Sequence, residues 1–268
     1  MDSSSLKVPA PSRKSPLPAL TVPTVPQQPR TATFPLRRVQ KFLRRFRRYA
    51  AVPLVVLALL LLRPRLSAGD LFFDTLTDGV GVVIALVGQL VRFWSWGSNA
   101  HTAATGGVRT RGPYALLRHP LYVGNLLIAT GLLVVFNNPW AYLLCGVPIV
   151  TLYWTIVDLE EEHMTQTCGE YYRRYVATGI PRFLPAVRQF PAALRTSLPF
   201  RWRVAYKKEY ESVLGWIAGM LVLRMYEQVF WQGASAVRQE VVVLSTLLCA
   251  VGLVAMGLYL HKMRYAKS

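Results

Sequence analysis

Acidic residues are few: 13 Asp and Glu stand against 31 Lys and Arg over 268 residues, a formal net charge of +18. Cysteine is scarcer still. Cys145, Cys168 and Cys249 share no CxxC spacing and two of them lie in apolar runs, which argues against a disulfide framework or a cysteine-held zinc. The four histidines are scattered and form no HExxH, so the sequence indicates no metal site. The period-2 alternation of membrane-barrel strands is missing, and so is any internal repeat. Apolar residues, by contrast, make up 53% of the chain, and the charges are kept apart from them. A soluble domain of this size would spread its charges along every segment.

The apolar runs fall at roughly 50–66, 79–97, 120–136, 139–158, 211–230 and 241–260. Several reach the ~20 residues a helix needs to cross a bilayer, and only helices satisfy their own backbone there without closing a barrel. The expectation is an all-α integral membrane protein of about six transmembrane helices. Basic residues set its topology. Of the 31 Lys and Arg, 26 lie before residue 50, in 98–120, in 160–210 or after 261, all on one side of a six-span scheme. Both termini are then expected on the cytoplasmic face. This distribution explains the net charge without nucleic acid, which a basic chain otherwise suggests. Residues 1–48 read as a disordered basic segment, rich in Pro and Ser over 1–35. Within it, 37–48 (RVQKFLRRFRR after Arg37) is suited to anionic headgroups as an amphipathic lead-in. Residues 49–210 form the expected core, with its motifs in 106–185, and 211–268 a closing helix pair.

Gly112 to Gly124 read Gly-Pro-Tyr-Ala-Leu-Leu-Arg-His-Pro-Leu-Tyr-Val-Gly, a turn and a polar cluster directly before an apolar run. Unpaired polar groups at the mouth of such a run are costly. Pro120 at the first helical turn puts His119 at the helix N-terminus, where free N–H groups and the dipole favour a carboxylate or phosphate. Some forty residues on, the fourth run ends in Asp158-Leu-Glu-Glu-Glu-His163. Acids oppose the dipole at a helix C-terminus, and successive positions point about 100° apart, so at most two of Glu160, Glu161 and Glu162 face one pocket. The others are expected to pair with Arg173 or Arg174. An inward carboxylate suits an ammonium or sulfonium. Tyr171, Tyr172 and Tyr175 fit either a stacking surface for an aromatic base or an interfacial aromatic belt. Arg224 and Glu227, spaced i,i+3, are expected to pair, while Asp70, Asp74 and Asp78 read as outward-facing loop acids.

Gly112-Pro-Tyr114, Arg118-His-Pro-Leu-Tyr122-Val-Gly124, Glu160-Glu161, Cys168-Gly-Glu-Tyr-Tyr172-Arg-Arg-Tyr175 and Ile180-Pro-Arg-Phe-Leu-Pro185 together resemble the isoprenylcysteine carboxyl methyltransferase and phospholipid methyltransferase superfamily. The resemblance covers roughly 80–185, and its two halves are specific in combination. Lys207-Lys-Glu-Tyr-Glu211 and the last helix pair are similar to bacterial branches, which implies a bacterial plasma membrane. It implies S-adenosyl-L-methionine as methyl donor in a pocket at the cytoplasmic face. Carried over by position, Gly106, Gly107, Val108, Arg109, Tyr114, His119, Pro120, Leu121, Tyr122, Gly124 and Glu160 bind the cofactor, and Arg118 and Glu161 are the catalytic candidates. Three departures stand out. Cys168-Gly169 replaces Phe-Gly, Gly106 stands where prenylcysteine enzymes have histidine, and Ile156 stands where they have an arginine for the substrate carboxylate.

The expected function is therefore methyl transfer to a lipophilic or membrane-embedded acceptor, a carboxylate, thiol or amine. A carboxylate needs no base, whereas an amine or thiol must lose a proton. Two other classes compete. Sterol reductases look similar over RHPxYxG and use NADPH, but a phosphorylated cofactor wants cations where this chain has Glu160 to Glu162. A non-catalytic scaffold working through the basic N-terminal segment is the other.

Overall fold

The computed structural model describes residues 71–100, 107–232 and 238–265, with 57, 60–63 and 102. All belong to the compact unit Thr33–Ser268. The expected N-terminal segment 1–48 and most of the first span lie outside the described residues.

The described residues form helices joined by turns and contain no strand. The first, α1, spans Leu71–Ser98. It starts earlier than the apolar run at 79 suggested, because Asp74 and Asp78 are helical instead of lying in a loop. A 3₁₀ turn at Gly112–Ala115 leads to α2, Pro120–Phe136, with Pro120 at its start. Asn137 ends α2 in the left-handed region (φ 45°), its N–H donating to Leu133 O. The Asn138 side chain then accepts from Trp140 N at 2.8 Å and restarts the helix at Pro139. A short π-helical stretch, Tyr142–Gly146, runs into α3, Val147–Ala177.

Pro139–Ala177 is far longer than a bilayer crossing requires, so its last turns project beyond the apolar layer. Gly169 interrupts it with φ 53°, a conformation open to glycine, and redirects the chain carrying Tyr172 and Tyr175. The short α4 (Phe190–Thr196) follows, then α5 (Trp202–Gln232) and α6 (Arg238–Tyr265). Four helices among the described residues are long and apolar enough to cross a membrane, and α2 is a shorter apolar one. With the run at 50–66, this agrees with an all-α architecture of about six apolar helices.

Small residues dictate how α1 and α2 meet. A Cβ on Gly88 would stand 2.6 Å from Gly124 O, and one on Gly81 2.7 Å from Gly131 O. The two glycine pairs are spaced seven residues apart on both helices and let the backbones touch, as helices in an apolar solvent require. The core behind this seam contains Ala85, Val135, Phe136, Met220 and Leu223.

Two polar networks tie α5 to α1. Near one end Arg224 pairs with Asp78, and with Glu227 at 3.3 Å; Asp74 lies 3.9 Å away. The expected Arg224–Glu227 pair is present, and the two α1 acids join it. Near the other end Glu209, fully buried, receives Arg92 Nε and Nη2 at 2.8 Å each and Gln89 Nε2 at 2.9 Å. Arg92 also bonds the Asn125 side chain on α2. A charge buried this deeply is tolerated only when paired and hydrogen-bonded.

Candidate active site

The site forms where the C-terminal end of α1, the start of α2 and the projecting turns of α3 come together. Its frame is backbone. Gly112 (φ +59°) donates its N–H to Thr196 Oγ1 at 3.1 Å, and a Cβ there would lie 2.5 Å from Ser98 Oγ. Asn99 fixes the strand-like approach, its Nδ2 donating to Arg111 O (2.8 Å) while Arg111 N–H donates to Asn99 Oδ1 (3.2 Å). The chain at 116–119 is then held by the segment after α3. Arg118 N–H donates to Pro181 O (2.8 Å), His119 N–H to Arg182 O (3.3 Å) and Ala186 N–H to Leu116 O (2.9 Å). The two halves of the motif that lie far apart in sequence are thus stitched to each other.

Side chains converge on two glutamates. Glu161 is buried, and its Oε1 meets His119 Nε2 at 2.9 Å and Arg118 Nη1 at 3.0 Å. Its Oε2 accepts from Arg182 Nη2 at 2.7 Å, and Arg182 Nη1 reaches Asp158 at 2.8 Å. Burial works against the Arg182 charge, but the carboxylates of Glu161 and Asp158 outweigh it and raise its pKa. Glu160, one position earlier, turns a different way and accepts from the Tyr122 hydroxyl. The expected pairing of the spare glutamates with Arg173 or Arg174 is not what forms. Arg174 takes Glu170 at 3.3 Å, and Glu162 accepts from Gln166 at 3.1 Å, since both lie one turn away on the same helix.

Tyr114 closes another wall. Its buried phenol receives Arg109 Nη1 at 3.1 Å, and its carbonyl accepts the Tyr175 hydroxyl at 2.7 Å. Burial pushes the Tyr114 phenol up, against the pull of Arg109, so it stays neutral. Arg109 itself lies over Trp96, 4.4 Å from the ring centre. Val108 is buried with Tyr172, Tyr175 and Ile180, while Gly107 is exposed. Tyr172 and Tyr175 are thus core residues of this wall and not a lipid-facing belt, whereas Tyr171 is exposed.

The structure therefore brings together Arg109, Tyr114, Arg118, His119, Pro120, Tyr122, Glu160 and Glu161. Leu121 sits half-buried in the first turn of α2. Gly124 faces α1, where a Cβ would meet Arg92 Cγ at 2.5 Å. Gly106 lies outside the described residues. Ile156 packs among Tyr122, Tyr153 and Val157, an apolar cluster with no cation in it. Sequence reasoning quoted Arg182 and Phe183 within the Ile180–Pro185 element but gave neither a place in the site; Arg182 pairs with Glu161, and the Phe183 ring lies 6.5 Å from His119 and 5.3 Å from Trp154.

Two buried polar atoms of this site, Arg118 Nε and Tyr172 Oη, make no hydrogen bond of ordinary geometry, although the Arg118 guanidinium lies beside the Tyr172 hydroxyl. Buried donors without acceptors are uncommon in native folds, and these two would suit an anionic group. Glu160 offers the opposite charge nearby. A zwitterion with an added positive centre meets donors at one end and a carboxylate at the other.

The profile of the phospholipid methyltransferase family matches residues 77–171. That match covers less than half of the chain and marks a similarity to the family over those residues. Protein-S-isoprenylcysteine O-methyltransferase A of Arabidopsis thaliana is 28% identical over 113 residues, covering 38% of this chain and 57% of the relative. The chain thus spans a little over half the length of that curated relative. No solved structure matches. The matched stretch takes in most of α1, all of α2 and both glutamates. It stops short of Tyr172, Arg182 and the α5 residue Glu209.

Proposed function

We propose that the chain transfers a methyl group from S-adenosyl-L-methionine to a lipophilic acceptor at the cytoplasmic face of a membrane. The observation that supports this best is the meeting of Glu160 and Glu161 with the Arg118-His119-Pro120-Leu121-Tyr122 element, in a chain whose 77–171 stretch matches the superfamily profile. The two glutamates have different roles. Glu161 is already neutralised by Arg118 and Arg182 and shapes the site, orienting His119 and Arg118. Glu160, which accepts from the Tyr122 hydroxyl at the start of α2, is the carboxylate facing the positive part of the donor. Arg118 Nε and the Tyr172 hydroxyl take the carboxylate of the donor.

The bound donor supplies an electrophilic methyl group. The protein's task is then alignment, because direct displacement gains most from fixing both reactants at contact distance. The backbone bonds from Pro181 and Arg182 to Arg118 and His119 provide that rigidity. The apolar environment of Ile156, where a prenylcysteine enzyme places an arginine, favours an acceptor other than a prenylcysteine carboxylate. The test is calorimetric titration of the purified protein with S-adenosylmethionine, paired with radiolabelled methyl transfer onto a total lipid extract. Binding by wild type that weakens at least tenfold in Glu160→Ala is expected. Absence of binding, or wild type and variant behaving alike, overturns the proposal.

A further inference from the structure

From Tyr171 to Lys208 the sequence holds nine Lys and Arg and no acid. Arg182 is consumed by Glu161 and Asp158, Arg174 pairs with Glu170, and Lys208 lies over Trp96. Arg173, Arg188, Arg195, Arg201, Arg203 and Lys207 are exposed, and no carboxylate among the described residues pairs with them. Between these cations runs a second pattern. Leu184, Val187, Phe190, Leu194, Leu198 and Trp202 recur every three or four residues and are all exposed, Leu184, Val187 and Leu198 by more than 70%.

The other side of the same segment is fastened down. Ala193 is fully buried, and Ser197 Oγ accepts from Trp94 Nε1 at 2.7 Å. Thr196 holds Gly112, and Ala186 holds Leu116. An anchored segment with an outer apolar stripe is unstable in water, since contiguous apolar patches mark a surface meant to be covered. The continuation of this segment into α5, an apolar helix long enough to cross a bilayer, says what covers it. Its stripe then lies at the lipid boundary and its cations at headgroup depth, an arrangement that attracts anionic lipid.

We propose that residues 184–203 form an interfacial docking surface for anionic phospholipid, built directly against the outside of the candidate active site. A headgroup bound there restrains the segment that holds the backbone of Gly112 and Leu116. This surface is distinct from residues 37–48 and does not depend on the methyl-transfer reading.

Native mass spectrometry of the full chain, from micelles containing equal phosphatidylglycerol and phosphatidylcholine, tests it without reference to catalysis. Wild type is expected to retain phosphatidylglycerol preferentially. Each of Arg188→Gln, Arg195→Gln and Arg203→Gln should lower that preference by about fivefold at most, and the triple variant should lose most of it. Arg174→Gln, removing a cation already paired, should behave as wild type. Residues 37–48 are present throughout, so differences among variants report on this surface alone. No preference in wild type, or an unchanged preference in a triple variant that keeps the wild-type melting temperature, overturns the proposal. If the triple variant does not fold, salt decides: a wild-type preference that persists undiminished at about 0.5 M salt, where charges more than a few ångströms apart are screened, overturns it equally.

Discussion

A carboxylate surrounded by Arg118, Arg182 and His119 has its charge answered before any ligand arrives, and Glu161 is such a group. Removing it leaves the largely buried Arg118 without its counter-charge and leaves Arg182 with Asp158 alone. Breaking a buried pair costs about 3–5 kcal/mol, and the partial exposure of Arg182 puts Glu161→Ala near the lower figure. Thermal unfolding should show a clear drop in melting temperature for Glu161→Ala. Glu160→Ala should melt near wild type and lose donor affinity instead, a split that calorimetry and unfolding measured on the same two variants will expose. If both variants lose only stability, Glu160 has no ligand role. Gly112 supplies a second residue-scale test. Its left-handed backbone alone costs an L-residue about 1–2 kcal/mol, and the close approach of Ser98 adds to that. Gly112→Ala should therefore lower the melting temperature, while Gly215→Ala, at a position with open space around it, should not.

Helices here are joined by a few polar contacts and by the glycine seam, so their arrangement is sensitive at identifiable points. The Arg92–Glu209 pair joins α1 to α5, with Gln89, Asn125 and Ser212 completing its hydrogen bonds. Arg92→Met and Glu209→Met should each be destabilising by about 3–5 kcal/mol, since each strands a buried partner, and the double variant should recover most of the loss. A double-mutant cycle on unfolding in detergent measures this; additive losses would mean the pair is not coupled. Elements of this kind were legible in the sequence to unequal degrees. Pro120 announced the start of α2 and put His119 at its N-terminus, because caps and breakers act locally. Partners across the fold were not legible. Arg224 and Asp78 are 146 residues apart, and Arg182 and Glu161 are 21 apart with a turn between. Hydrophobic periodicity says which face is covered and not what covers it. That is why Asp74 and Asp78 read as loop acids and why the glutamates were matched to the wrong arginines.

For the whole molecule the question is which side of the membrane carries the site. The structure puts the polar clusters of α2 and α3 at one end of the α1–α2 seam and the Arg224 network near the other, Asp78 lying on α1 before Gly81 and Arg92, the partner of Glu209, beyond Gly88. The segments flanking the site, 98–120 and 160–210, also hold most of the Lys and Arg found after residue 50. The positive-inside rule then predicts that this end faces the cytoplasm, which is the side that the proposed methyl donor requires. The two ends can be told apart with single cysteines on a variant lacking Cys145, Cys168 and Cys249. Arg195 and Trp140 are both exposed and lie at opposite ends. A membrane-impermeant maleimide should label Trp140→Cys in intact cells and label Arg195→Cys only after the cells are broken. Labelling of Arg195→Cys from outside would reverse the topology and, with it, place the candidate active site on the face away from a cytoplasmic methyl donor.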